Sequence, residues 1–454
     1  MKDNQQILGT EPIGKLLIKY SVPAIIGMIV NGLYNVVDRI FIGNIPGVGP
    51  LAITGLGVTM PLMTILGAFC VGIAVGGSTN VSIKLGENNR EEAERVIGST
   101  VALELTVGIV MTILSIFFLD KLLYAFGASV DTIKYAKEYM SVIFMGAWFN
   151  LPGFALNSCI RGEGNPKLAA RMMITACILN IILDPIFIFG FNLGIKGAAI
   201  GTIISQLFIC TWSTYYFTLG KSNLKLRLKY IKLDKRLLKL IIAIAMTPFF
   251  MEMAAGSIHL VTNKVLKIYG GDLSIGAMTT VTSISLMFLM PIFGLSQGMQ
   301  TIIAYNHGAK QPERGRKTLF LGILYGTIIL TIGFIVVRLF PEVFVGIFTK
   351  DETLMKIAVE GIKINLITLP IVGVSVLGSV YFQSIGEAKK SMFLSLLRQV
   401  VILIPVILIV PKIYGLKGVW ASQPIADFLA MFIVGLFLFK EFKKDKLEIQ
   451  EITA

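Results

Sequence analysis

Charge is what this chain is short of. Only 15% of its 454 residues are Asp, Glu, Lys or Arg, against about a quarter in an average soluble domain. In their place, 55% of the residues are hydrophobic and the mean hydropathy is +0.78. So few charges cannot coat a water-facing surface, which makes lipid the expected solvent. Cysteine is scarcer still, at four residues. Cys70, Cys159, Cys177 and Cys210 each lie in an apolar run with no metal-ligand spacing between them, so they read as small buried hydrophobes. No G-x-x-x-x-G-K-[ST] sequence is present, which excludes a P-loop for ATP. There is no aspartate-rich metal motif of the kind a membrane prenyl transferase would place at the interface. Nor is there a sizeable extramembrane stretch to serve a receptor. The first fourteen residues hold Asp3, Gln5, Gln6 and Glu11 rather than a basic segment and cleavage site, so the first apolar run is expected to stay as a membrane span.

What the chain does have is continuous apolar runs of helical length. A helix needs about 20 apolar residues to cross the hydrocarbon core. About twelve such runs are centred near Val30, Ile65, Val110, Phe144, Ile178, Ile204, Ala245, Met287, Ile329, Leu366, Ile402 and Ile433. They do not alternate as barrel strands would. The fold class expected is therefore an all-α polytopic membrane protein with 12 transmembrane helices. The net charge of +14 is not a nucleic-acid footprint, because the basic residues gather in alternate loops. These are Lys84–Arg95, Arg161–Arg171, His307–Lys317, Lys389–Lys390, the tail from Lys440, and above all the stretch 221–239. That bias puts the basic loops and both termini in the cytoplasm, the expected membrane being the cytoplasmic (inner) one.

The two halves resemble each other at an offset of about 222 residues. Lys84-Leu85-Gly86-Glu87 answers to His307-Gly308-Ala309-Lys310, Gly164-Asn165-Pro166-Lys167 to Gly386-Glu387-Ala388-Lys389, and Gly194-Ile195-Lys196-Gly197 to Gly415-Leu416-Lys417-Gly418. Six spans per half give both copies the same orientation, so the lobes are expected to be related by a pseudo-two-fold axis along the membrane normal, with substrate between them. The expected division is an N-terminal lobe over 1–220, a basic cytoplasmic linker over 221–239, a C-terminal lobe over 240–440 and a cytoplasmic tail over 441–454.

A charged side chain inside a span costs at least about 2.5–3.5 kcal/mol. Asp38, Asp184 and Glu252 each carry that cost within an otherwise apolar run, while Glu104 lies nearer the basic-loop end of its helix. On the first span Asn31, Tyr34, Asn35 and Asp38 share one face by i, i+3, i+4, i+7 spacing. Asn180 and Asp184 share a face of the fifth, and Thr202 and Gln206 one of the sixth. Three polar stripes in one lobe predict a buried pocket of carboxylate, amide and hydroxyl oxygens, a set suited to a proton or a hard monovalent cation. Two nearby carboxylates cannot both stay ionised without one, which is the chemistry of a coupling site. The bland alternative is that these groups only hydrogen-bond neighbouring helices. In the second half Glu252 and His259 lie on one face of the seventh span and are candidates for substrate or proton binding. Arg398 and Asp427 read better as a structural pair or as interfacial residues.

With these residues on view, the chain is similar to the multidrug and toxin extrusion (MATE) family over nearly its whole length. The resemblance rests on Pro23 through Asp38, Gly294-Leu295-Ser296-Gln297-Gly298-Met299-Gln300, Leu396-Leu397-Arg398-Gln399, and Gly418-Val419-Trp420 with Gln423-Pro424-Ile425-Ala426-Asp427. The Asp38 and Asn180–Asp184 pattern is similar to the bacterial subgroup of DNA-damage-inducible and multidrug exporters. The resemblance implies a cation-coupled antiporter, not an enzyme, that exports organic and cationic drugs and toxins by alternating access. Its coupling ion is H+ or Na+, and no cofactor is needed. It implies a cation site at Asp38, Asn180, Asp184 and Thr202, which would be the Na+ site if sodium is the ion. An acid on the seventh helix of a sodium-coupled subgroup corresponds to Glu252, but that subgroup's acid on the tenth helix has no counterpart between Ile364 and Ser384. Asn31, Tyr34, Asn35, Gln206, Glu252 and His259 are the expected cavity residues. Membrane lipids and small organic cations are the expected partners, nucleic acid is not, and a monomer is expected. The competing reading within the superfamily is a flippase for lipid-linked oligosaccharide or polysaccharide, which would want a basic cavity for pyrophosphate. A membrane-embedded enzyme is the more distant alternative.

Overall fold

The computed structural model describes residues 4–46, 48–348 and 351–453, with the side chains of 4–6, 35, 36, 49, 50, 260, 272 and 444–453 outside the description. Helices account for nearly all of it. A short α1 (Asn4–Thr10) precedes α2 (Ile13–Gly43), α3 (Gly49–Gly86), α4 (Arg90–Ala125), α5 (Ile133–Gly162), α6 (Pro166–Pro185) and α7 (Gly194–Thr218). After a loop come α8 (Lys235–Gly308), α9 (Pro312–Leu339), α10 (Pro341–Gly346), α11 (Glu352–Asn365), α12 (Leu369–Ser384), α13 (Ala388–Leu396), α14 (Ile404–Ile409) and α15 (Pro411–Thr453). All twelve expected span centres fall on or between these helices. Among the described residues ten helices are long and apolar enough to cross a membrane. The run centred on Leu366 is instead a bent pair, α11 and α12, at 57° to each other. The break falls just before Pro370, which sits in the first turn of α12, where a residue without an N–H costs no helical hydrogen bond. The run centred on Ile433 lies in α15.

Local chemistry accounts for the helix ends. Asn89 accepts from the Glu92 amide at 3.1 Å, Asn165 from Leu168 at 3.3 Å and Asp351 from Leu354 at 2.7 Å, each satisfying an orphan donor of a first turn. Pro166, Pro312 and Pro341 open helices where no donor is lost. The internal repeat reappears as backbone conformation. Left-handed residues recur in matching turns: Asn88 and Lys310, Gly164 and Gly386, Gly194 and Gly415. Gly415, at φ 58°, breaks α15, as Gly271 at φ 68° breaks α8, conformations that a side chain would strain. Both halves also carry a π segment on the span that precedes the last, at Ile186–Gly190 and Leu397–Leu403, the wide-turn geometry that often marks functional sites.

Two compact units make up the chain. One comprises residues 1–10, 26–249 and 308–310; the other comprises 11–25, 250–307 and 311–454. In the first unit α3 to α7 pack around Ile42, Tyr139, Met140, Ile143, Leu151 and Ile195, all buried. Close helix contact depends on glycine there. A Cβ on Gly108 would meet the Trp148 and Ala147 backbone, and one on Gly153 would meet Cys210. The outward face of α4 carries Ile109, Ile113, Ile116 and Phe117, the last two more than 70% exposed, which is the surface expected where lipid replaces water. In the second unit the fully buried Trp420 packs against Gly361. Of the two readings offered for them, Arg398 and the buried Asp427 take the structural one and form an ion pair, 3.2 Å apart, with Gln423 donating to the same carboxylate at 3.0 Å.

The basic stretch over 221–239 is tied to the first unit by acids. The buried Glu163 that caps α5 accepts from the Ser222 hydroxyl and the Asn223 amide, each at 2.8 Å. Burial pushes its carboxyl above the usual range, while Ser222 and the Asn223 and Leu224 amides pull it back. Glu94 accepts from the Lys225 amide at 2.9 Å and pairs with Arg227 at 3.0 Å, Tyr230 donates to Glu91, and Arg236 pairs with Glu92. From Lys235 onward the stretch is helical. Removing the Glu163 acceptor strands buried donors, each worth roughly 1–3 kcal/mol. E163A is therefore expected to lower the thermal unfolding midpoint of the purified protein in detergent, and an unchanged midpoint would show that the loop is not held this way.

Candidate cation site and cavity

Four helices of the first unit bring polar groups to one place. Asp38 comes from α2, Asn180 and Asp184 from α6, and Thr202 from α7; all are buried, at 7%, 2%, 0% and 4% exposed. The Asn180 amide donates to Asp184 Oδ1 at 3.1 Å and reaches Thr202 Oγ1 at 3.5 Å. The Asp38 and Asp184 carboxyls lie within hydrogen-bonding range of each other. Asp38 Oδ1, Asp184 Oδ2 and Asn180 Oδ1 have no hydrogen-bond partner among the described residues. Two carboxylates are both acceptors, so this contact is favourable only with a proton on one of them or a cation between them. The fourth helix is α5, whose Tyr139 phenol is within reach of the Thr202 hydroxyl, as is that of Tyr34 from α2.

Gly201 makes the arrangement possible. A Cβ there would occupy the place of Asp184 Oδ1 and come within 3.6 Å of Asn180 Nδ2. Neither Gly201 nor Tyr139 stands out in the sequence. The one available signal for Gly201 is its position beside Thr202.

A cavity of about 390 Å3 adjoins the cluster in the same unit. Asn180, Thr202, Tyr34, Asn31 and Gln206 line it, together with Cys70, Cys177, Asn150, Asn157 and apolar side chains including Met63, Met173 and Phe154. Asp38 and Asp184 are not part of the lining, so they are reached through Asn180 and Thr202. Gln206 Oε1 is buried without a hydrogen-bond partner among the described residues. The side chain of Asn35 lies outside the described residues. Glu252 and His259 are on α8 in the other unit, exposed and without an ion pair among the described residues; they do not belong to this cluster. No group of three or more His, Cys, Asp or Glu side chains that could hold a metal occurs among the described residues. Any cation bound here would take a mixed carboxylate, amide and hydroxyl set, which suits a hard monovalent ion.

The chain matches the MatE family over residues 23–186 and 248–409, once in each half. It belongs to the MatE family. The multidrug export protein MepA of Staphylococcus haemolyticus is 28% identical over 441 residues, covering 96% of each chain. The MATE multidrug transporter DinF-BH, solved in complex with a ligand, is 36% identical, covers 97% of this chain and 98% of its own, and superposes with a TM-score of 0.88. A multidrug resistance MATE family transporter in an outward-facing conformation superposes with a TM-score of 0.92 at 24% identity, covering 98% and 99%. The two-lobe, twelve-helix MATE architecture is thus the fold of this chain, a multi-pass membrane protein. MatE relatives bear the names of transporters, not of enzymes.

In this MatE chain Thr202 offers the neutral hydroxyl of the set. T202V keeps the shape and removes one hydroxyl, a loss of about 1 kcal/mol. The expected result is a roughly five- to tenfold weaker apparent affinity for the coupling ion with normal expression, measured as ion dependence of dye efflux; an unchanged ion dependence would remove Thr202 from the site.

Proposed function

We propose that this chain exports small organic cations across the cytoplasmic membrane in exchange for an inward-moving H+ or Na+ bound at Asp38, Asn180, Asp184 and Thr202. The observation that carries the reading is the buried carboxyl pair, which among the described residues meets no basic group but Arg39, the next residue along α2 from Asp38, and which is set behind a cavity with no Lys or Arg in its lining. A lining of amides, hydroxyls, methionines and aromatics can hold varied apolar cations, since methionine repacks around different shapes. The same lining lacks the positive charge that a pyrophosphate-linked flippase substrate would need. Relatives named for multidrug export and multidrug transport are consistent with this class of substrate.

Binding of the ion removes the repulsion between the two carboxylates and so favours the conformation in which α2 and α6 hold them together. Its release inside lets them part, and this differential binding is what drives alternating access. Lobes at 1–220 and 240–440, with the 221–239 linker, the 441–454 tail and both ends in the cytoplasm, follow from the distribution of basic loops, and one monomer suffices for the cycle. Expelling a monovalent cation against an inside-negative potential costs roughly 2.3 kcal/mol per 100 mV, and a hundredfold gradient about 2.8 kcal/mol more. Exchange for one monovalent ion cancels the electrical part.

The test is transport of a cationic dye by purified protein in proteoliposomes, with pH and sodium gradients imposed separately. Export driven by one of them identifies the ion. Dye movement indifferent to both would overturn antiport.

A further inference from the structure

Glu104 stands apart from the cluster above. It lies on α4, roughly 21 Å along the helix from Arg90, and its side chain is 0% exposed. Neither carboxyl oxygen has a hydrogen-bond partner among the described residues. The helices packed against α4 here are α3 and α5, and they present Cys70 and Cys159 as the titratable groups within electrostatic reach. The Leu228–Tyr230 turn packs on α4 farther down, at Gly98, where Tyr230 is engaged with Glu91. The nearest basic side chain along α5, Arg161, donates instead to Asn157 Oδ1 at 2.9 Å and Ser158 Oγ at 2.7 Å.

An unpaired carboxylate in such a place is far too costly to persist, and the group takes a proton instead. A permanently neutral acid would still leave its O–H and C=O unsatisfied, at roughly 1–3 kcal/mol for each. Neither charge state is provided for, so a purely structural role is a poor account of a carboxyl at this position. Cys70 on α3, within electrostatic reach of Glu104, lines the cavity that a substrate would enter.

We propose that Glu104 is a second proton-carrying site of the exchange, separate from Asp38 and Asp184. It is protonated in this conformation and releases its proton to water that reaches it past Cys70. The O–H bond breaks, the proton leaves with that water, and the carboxylate left behind is balanced by the positive charge of the substrate in the cavity. The inference rests on the antiport reading above. It makes export of a singly charged cation move two protons per cycle, one from the Asp38–Asp184 pair and one from Glu104. Exchange is then electrogenic, where a single proton would make it electrically neutral.

The experiment uses proteoliposomes with a singly charged dye, an imposed pH gradient, and the membrane potential set independently with potassium and valinomycin. Wild-type export should be driven by the pH gradient and accelerated several-fold by an inside-negative potential. E104Q should still export, without that acceleration. Wild type driven by the pH gradient but indifferent to potential would overturn the second site and leave the antiport reading intact. Wild type not driven by protons would overturn the second site, and indifference to an imposed sodium gradient as well would overturn the antiport reading beneath it. Equal acceleration in E104Q and wild type would also overturn the assignment. Should E104Q not insert, modification of wild-type Glu104 by a hydrophobic carbodiimide decides the matter. Labelling that falls as pH rises supports a titrating acid, and labelling independent of pH overturns it.

Discussion

D38N should abolish dye export while the protein remains folded in the membrane at wild-type levels. The substitution keeps the shape of the side chain and removes the charge that a proton or cation binds. Hydrogen bonds and contacts to a charged group are worth about 1.5–3 kcal/mol each, so losing this ligand should weaken ion binding by about a hundredfold. The effect on the cycle should be larger still. With an amide in place of Asp38, its partner Asp184 no longer faces a second carboxylate, so the repulsion that ion binding relieves is gone. The protein could then settle in one conformation whatever the ion does. Efflux from cells and from proteoliposomes checks this directly, with size-exclusion behaviour as the control for folding. Export at the wild-type rate by D38N would remove Asp38 from the mechanism.

The second large effect is expected at a residue with no chemistry of its own. G201A places a methyl group where Asp184 Oδ1 now sits, beside Asn180 Nδ2. Something must move, and the side chain of Asp184 is freer to do so than the helix backbone. Overpacking of this kind costs roughly 1–3 kcal/mol, and here the cost falls on the geometry of the ion site. Coupling-ion affinity should drop about ten- to a hundredfold, with a modest fall in thermal stability. Ion dependence of efflux, compared with that of an alanine placed at the uncrowded Gly57, separates a local effect from a general one. Equal behaviour of the two variants would mean that Asp184 does not need its present position.

Helix periodicity is a local property, and for that reason much of this protein is visible without its structure. Twelve apolar runs, the alternation of basic loops and the repeat at about 222 residues are written in the chain. The repeat is carried down to the left-handed turns at Asn88 and Lys310 and at Gly164 and Gly386. The pairing of Asn180 with Asp184 follows from their spacing of four on one helix. The break between α11 and α12 is less legible, because hydropathy runs on through it and only Pro370 hints at the bend.

What lies beyond the reach of spacing is which helices are neighbours. Asp38 on α2 and Asp184 on α6 are far apart in sequence, and their polar stripes predict a shared pocket without saying which side chains meet in it. That depends on how glycines and side-chain volumes let α2, α5, α6 and α7 approach. It is likewise packing, not pattern, that brings Tyr139 to Thr202 and sets Gly201 against the Asp184 carboxyl. Glu104 is the clearest case. By sequence it is one acid near a basic loop, and only the closure of α3, α4 and α5 around it buries its carboxyl with no hydrogen-bond partner among the described residues. Spans, repeat and polar helix faces are local patterns and can be read along the chain. Which of those faces share a buried space is settled by packing, because burial and electrostatic contact are set by neighbours distant in the chain.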